Sequence, residues 1–219
     1  MKFLVTFAFV AALYFGTEST TYPNHLTLKE NVFDVHWYVN TTEDRFYFKV
    51  VANNTGWVGL AFTTNEGGED MKNYDIALGG VRNGNETYLK DYWSTSEVKP
   101  ILDSSQDLML SSATESNGKT TIEFNRKADT GDAADTPLKM NNSIFLAWAI
   151  GREDATDDNT FNQHPDKLQG GRGHTKEGYN MYTSKVIQST IPPTTQAGSA
   201  IVPSIVALFL IQLVMQLIN

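Results

Sequence analysis

The chain has 219 residues, a formal net charge of −8 and no cysteine. Without thiols there can be no disulfides, no thiolate metal centres, no cysteine-held iron–sulfur clusters and no cysteine nucleophile. The acidic balance, with no run of Lys or Arg, argues against nucleic-acid binding, which needs clustered cations along a phosphate backbone.

Residues 1–19 read as a secretory signal. Lys2 precedes an apolar run from Phe3 to Phe15 that is short for a membrane span, and small residues follow it. Residues 20–188 are one domain's worth of chain, long enough to bury a core without disulfide staples. Alternation of apolar and polar side chains predicts strands at 32–39 and 45–52, joined as a hairpin by the polar turn 40–44. Residues 56–62 are the next strand, followed by a Gly- and acid-rich loop at 63–70. Strands at 74–81 and 86–93 flank the pair Asn83-Gly84, and strands at 108–115 and 119–126 flank Asn117-Gly118; both pairs are hairpin signals. The segment 143–150 is the most apolar of the domain and is expected to be a central strand buried on both faces. Residues 179–186 are expected to close the sheet.

No segment of the domain carries a long helical period, so the chain is expected to be all-β, an antiparallel β-sandwich. Two connections, residues 128–140 and 152–178, exceed ordinary turns, and loops of that length tend to carry function. Four Asn-X-Ser/Thr sequons, at Asn40, Asn53, Asn85 and Asn141, suggest glycosylated surface loops in a secreted chain.

A Pro/Thr-rich spacer at 189–200 leads into an apolar tail at 201–219, which has no Lys or Arg after it. Small residues before a terminal apolar tail fit a signal for a glycolipid (GPI) anchor, which would place the domain at the cell surface, on the extracellular side of the plasma membrane. The alternative is a single transmembrane helix.

Five motifs occur in order: Gly56-Trp57-Val58-Gly59-Leu60-Ala61-Phe62; Met71 with Asp75-Ile76; Asp91-Tyr92-Trp93-Ser94; Phe145-Leu146-Ala147-Trp148-Ala149-Ile150-Gly151; and Gln163-His164. Together they resemble the DOMON domain, over about residues 26–186. The resemblance implies an immunoglobulin-like β-sandwich that holds either haem b or, in some branches, a sugar or other small ligand. In the haem-binding branch a methionine and a histidine ligate the iron. Met71 matches that methionine and His164 that histidine, with His174 as the alternative in the same loop. Such a six-coordinate iron suits single-electron transfer and leaves no open position for oxygen chemistry.

The resemblance thus implies a membrane-anchored b-type cytochrome module, acting with a separate redox partner or small-molecule reductant rather than as an enzyme by itself. The alternative is a haem-free module for a sugar or catechol-like ligand. Trp57, Trp93 and Trp148 are candidates for a pocket wall or for the core. Tyr74 departs from the small residue usual in the motif. Glu66, Glu69, Asp70, Glu153, Asp154, Asp157 and Asp158 offer oxygen donors for calcium or form a solvated acidic rim. His25 and His36 match no motif.

Overall fold

Alternating side chains build the first sheet. The computed structural model describes residues 21–66, 70–166 and 170–187; the signal, spacer and tail expected from the sequence lie outside the described residues. β1 (Asn24–Lys29) is an edge strand. β2 (Phe33–Asn40) and β3 (Arg45–Ala52) bury Phe33, Val35 and Trp37 with Phe46, Phe48 and Val50, and the residues between them stay half-exposed. Two layers then alternate along the chain. β4 (Val58–Thr63), β5 (Tyr74–Arg82), β6 (Glu86–Ser94) and β7 (Ile101–Leu102) belong to a second sheet. β8 (Met109–Ser116) and β9 (Lys119–Lys127) return to the first, whose order is β1-β2-β3-β9-β8, antiparallel throughout. β10 (Phe145–Ile150) and β11 (Arg172–His174) complete the second, in the order β11-β10-β4-β5-β6-β7.

Hairpin turns fall where the sequence supplies residues that tolerate a left-handed backbone. Asn83 and Gly84 sit at φ 54° and 78°, and Asn117 and Gly118 at 53° and 75°. Two successive positive φ values match the right-handed twist of the flanking strands.

The second sheet is apolar on both faces: all six residues of β4 and eight of the nine in β5 are buried. Val58, Leu60, Phe62, Ala77, Leu146 and Trp148 pack inward against the first sheet. Trp57, Ala61, Tyr74, Ile76, Leu78, Tyr92 and Ala147 form a second apolar cluster on the outer face. The fold is therefore the expected antiparallel β-sandwich, with no helix among the described residues.

Residues 179–186 depart from expectation. Instead of one closing strand they contribute to a separate two-stranded ribbon of β12 (Gly178–Asn180) and β13 (Lys185–Ile187). The Asn180 carbonyl accepts the N–H groups of Thr183 and Ser184, and Ser184 takes φ 57°, so the chain reverses between them. Met181, fully buried, enters the core, and its carbonyl accepts a 2.7 Å bond from the Trp37 indole.

One ion pair crosses the sandwich. Arg126 on β9 donates to Asp75 on β5, and both side chains are fully buried. Asp135 adds a second carboxylate 3.3 Å from the guanidinium, and the Thr136 N–H donates to Asp75 at 2.8 Å. These bonds fasten the long 128–140 loop to both sheets. Asp91 on β6 lies on the same inward face. Burial pushes Asp75 up to about 6 and Asp91 up to about 8, with repulsion from neighbouring carboxylates adding to the rise and Arg126 opposing it.

Both carboxyls therefore hold a proton more tightly folded than unfolded, where an aspartate titrates near about 3.9. The stability they contribute is complete below that value and is lost as the pH rises through about 8 for Asp91. In chelator-containing buffer the unfolding free energy is expected to fall from about pH 5 to about pH 8 on this account. Asp91→Asn is expected to flatten that fall, as read by urea denaturation at each pH.

Candidate functional site

Small residues on the outer face of the second sheet make a trough. Gly59 and Ala61 of β4 pair with Ala149 and Ala147 of β10, and with Leu78 and Ile76 of β5. Directly paired residues share a face, so these six form one continuous floor. Four of them are Gly or Ala, which leaves space above the sheet. The loops that rise around this floor enclose a cavity of about 440 Å³. Small-molecule sites occupy about 300–1,000 Å³.

Met71 stands at one end of the floor, half-buried against the outer apolar cluster. Its backbone is left-handed, at φ 54°, and Asn73 follows at 55°. That conformation costs a residue with a Cβ about 1–2 kcal/mol. It is held in place by β6: the Ser94 hydroxyl donates to the Met71 carbonyl, and the Asn73 N–H donates to the Ser94 carbonyl at 2.9 Å.

The long 152–178 connection forms the opposite wall. Phe161 wedges between two aromatic rings, edge-on to Trp57 at 5.7 Å and to Tyr92 at 5.5 Å. The Trp57 indole donates to the Asn162 carbonyl at 3.0 Å, and the Lys99 ammonium lies 5.2 Å from the Phe161 ring centre. Two glycines let the chain close this tightly: a Cβ on Gly151 would overlap the Trp57 indole, and one on Gly171 would overlap Pro165.

His164, half-buried, is carried by this loop. Its Nδ1 lies 3.1 Å from the Pro165 carbonyl, which can only accept. That bond takes its hydrogen from Nδ1, and in the tautomer that carries only this hydrogen the lone pair is on Nε2, the form of a metal-binding imidazole. His174, on β11 opposite Ala147, has the same arrangement with the Thr175 carbonyl at 2.9 Å. Met71, His164 and His174 all line this one cavity. Trp57, Trp148 and Tyr74 line it too, whereas Trp93 lies outside the lining. Arg172 is a wall residue that sequence reasoning missed. Its Nε is buried with no hydrogen-bond partner, so it suits an anionic group on a bound molecule.

Other sequence candidates fall elsewhere. His25 and His36 stack across β1 and β2 with ring centres 4.2 Å apart, in the first sheet. Asn53, Asn85 and Asn141 are exposed, and Asn40 is half-exposed at the end of β2, away from the cavity lining.

Among the described residues, the loop acids offered as calcium donors do not gather. Asp158 pairs with Lys90 at 3.0 Å and Arg82 at 3.7 Å, while Asp157 accepts the Asn159 N–H. Glu69 lies outside the described residues. Among the described residues, the acids whose oxygens come close enough to share an ion are Asp75, Asp91 and Asp135. The sequence did carry a signal for them: Asp75 and Asp91 interrupt buried strands, and Arg126 falls on the apolar phase of β9.

A family model described as "DOMON domain" matches residues 29–151. MOXD1 homolog 2 of Drosophila melanogaster is 30% identical over 109 residues, 49% of this chain and 14% of the relative. MOXD1 homolog 1 of the same organism is 27% identical over 122 residues, 54% of this chain and 17% of the relative. The chain thus spans under a fifth of the length of either relative. Among solved structures, the cytochrome b domain of pyranose dehydrogenase from Coprinopsis cinerea superposes with a TM-score of 0.54 at 16% identity, covering 73% of this chain and 82% of that one. At that identity the likeness establishes the fold alone. The floor of the cavity, Met71 and the buried acids all fall within the matched stretch, and on that match the chain belongs to the DOMON domain family.

Proposed function

We propose that the chain is a b-type cytochrome module that carries single electrons, with Met71 and His164 as the residues that hold the haem. The observation that carries this reading is the placement of a thioether and a lone-pair-bearing imidazole on the wall of one apolar cavity floored by Gly59, Ala61, Ala147 and Ala149. A flat, apolar macrocycle fits a floor of small side chains, and sulfur and imidazole donors suit its iron. Haem, when bound, would supply a one-electron couple.

The protein's own contributions follow from its residues. Ser94 clasps the Met71 backbone, and the Pro165 carbonyl fixes the His164 tautomer and ring. Phe161 and Trp57 pack edge to face and give the cavity an aromatic wall. Arg172, with its unpartnered Nε, would receive a carboxylate of the bound group. On this reading the apolar tail at 201–219 is exchanged for a glycolipid anchor that holds the module at the outer surface of the plasma membrane, or is itself the membrane helix, and a separate redox partner or small reductant exchanges the electron.

A second reading is favoured by Tyr74. Its buried ring lies in the cavity lining beside Met71, where it takes up width that a macrocycle would use. A haem-free cavity for a catechol-like or sugar ligand would tolerate it.

Absorption spectra of the purified protein, oxidised and then reduced, decide between the two. Haem reconstitution is expected to give a low-spin spectrum. Met71→Ala and His164→Ala are each expected to abolish it while leaving the β-sheet circular dichroism intact, and His174→Ala is expected to leave it unchanged. A protein that stays colourless after reconstitution would remove the cytochrome reading, and a His164→Ala variant with the wild-type spectrum would remove His164 as the ligand.

Gly151→Ala tests the wall itself. The added methyl must displace the Trp57 indole, an overpacking expected to cost about 1–3 kcal/mol. Thermal unfolding followed by circular dichroism measures that loss.

A further inference from the structure

On the opposite face of the same sheet, between the two layers, lies a second chemical centre. Tyr74 and Ile76 face the cavity, and Asp75 between them faces inward. Asp91 pairs with no acid directly, but it is opposite Ala77, which puts it on the inward face diagonal to Asp75. Asp135 arrives from the 128–140 loop and Asp103 from the turn after β7. All four aspartates are at most 8% exposed, and Arg126 is the one buried cation among the described residues.

The hydrogen bonding is incomplete in a specific way. Arg126 donates to one oxygen of Asp75 and, at 3.3 Å, to one of Asp135. Asp75 Oδ1, both carboxylate oxygens of Asp91 and Asp103 Oδ2 are buried with no partner. Donors do stand nearby, but they serve the backbone. Gln106 donates to the Asp91 and Asp103 carbonyls at 3.0 Å each, and the Asp103 N–H donates to the Asp91 carbonyl at 2.9 Å. Asp91 is thus 1% exposed, wholly unpartnered and turned into a group of like charges. A buried carboxylate in that position is costly unless a cation joins it.

We propose that Asp75, Asp91 and Asp135, with Asp103 beside them, bind a hard divalent cation of the calcium class. Each of the first three offers an oxygen within 4.8 Å of the others. That spacing fits ligands that share one ion at about 2.3–2.6 Å. The donor set is all oxygen, with no imidazole or thiolate, which disfavours softer metals. With all four ionised, the carboxylates would outnumber one guanidinium by three charges, and a divalent ion that displaces their protons would balance most of that excess. The carboxylates come from two strands and two loops, an arrangement that suits calcium's flexible coordination better than magnesium's rigid octahedron. A bound ion would tie β5 and β6 to both loops and, through Arg126, to the first sheet. The site is independent of what fills the outer cavity.

The test uses the purified full-length chain, stripped with chelator and titrated with calcium by calorimetry and by thermal unfolding. One equivalent is expected to bind and to raise Tm by roughly 4 °C or more. Asp91→Asn is expected to weaken binding by about tenfold or more, and Asp91→Asn with Asp103→Asn to abolish both responses. Asp157→Asn, outside the cluster, is expected to change neither. Absence of stoichiometric binding and of a Tm shift in the wild-type chain would overturn the proposal, as would a response that survives in the double variant. Should Asp91→Asn fail to fold, Asp135→Asn serves instead: weakened calcium binding supports the site, and unchanged binding overturns it.

Discussion

A sheet that is apolar on both faces must be covered twice, and only one of its covers here is another sheet. β4, β5 and β10 cannot use the polar outer face that lets β2 and β3 meet water. Their inner side chains are satisfied by Phe33, Phe48 and the rest of the first layer. Their outer side chains have only loops to cover them. Loops seal a surface poorly unless an aromatic ring is pressed into them, as Phe161 is between Trp57 and Tyr92. What they fail to fill, above glycine and alanine, is the cavity. The candidate site is thus a consequence of burying one sheet on both sides.

The same constraint couples the two centres. Along β5 the side chains alternate strictly, Tyr74, Ile76 and Leu78 outward and Asp75 and Ala77 inward. A one-residue slip in register would drive Asp75 into the apolar floor and bury Tyr74 against Arg126. The Asp75–Arg126 pair therefore acts as a register key for the strand that also floors the cavity. Breaking one partner would leave an unpaired buried charge, commonly worth about 3–5 kcal/mol.

Much of this fold was legible in the amino-acid pattern because local physics decided it. β3 spans 45–52 as the alternation predicts, and Asn83-Gly84 and Asn117-Gly118 turn where their backbone freedom dictates. Strands decided by partners rather than pattern were missed. β11 is three residues long and exists because Gly173 can lie against the Trp148 indole, and β12 and β13 are separated by a turn that buries Met181. The resemblance set Met71 and His164 at one site, with His174 as the alternative, whereas the local pattern of apolar and polar residues does not by itself bring the three to one cavity. The buried acids were seen only as motif letters. Their meaning depends on pairing between β5 and β6, which places Asp91 diagonal to Asp75, and on the return of a loop some sixty residues later.

The family match covers one part of the candidate site and leaves another part outside it. Residues 29–151 include the floor, Met71, Arg126 and the acid cluster, and they end before His164, His174 and Arg172. Likeness to other DOMON chains therefore speaks for the sandwich and the trough, and not for the imidazole that would complete an iron site. That imidazole rests on the 152–178 loop, held by Phe161, by the Trp57 indole bond to Asn162 and by the close approach of Gly171 to Pro165. The same loop is tied to the strands beneath by Asp158 to Lys90 and Arg82, by the Tyr92 hydroxyl donating to the Asp158 carbonyl and by the Ala155 N–H donating to the Tyr88 hydroxyl, so the second sheet fixes where its donors stand. The strands thus set the floor of the cavity, and this one connection carries both imidazoles that line its wall.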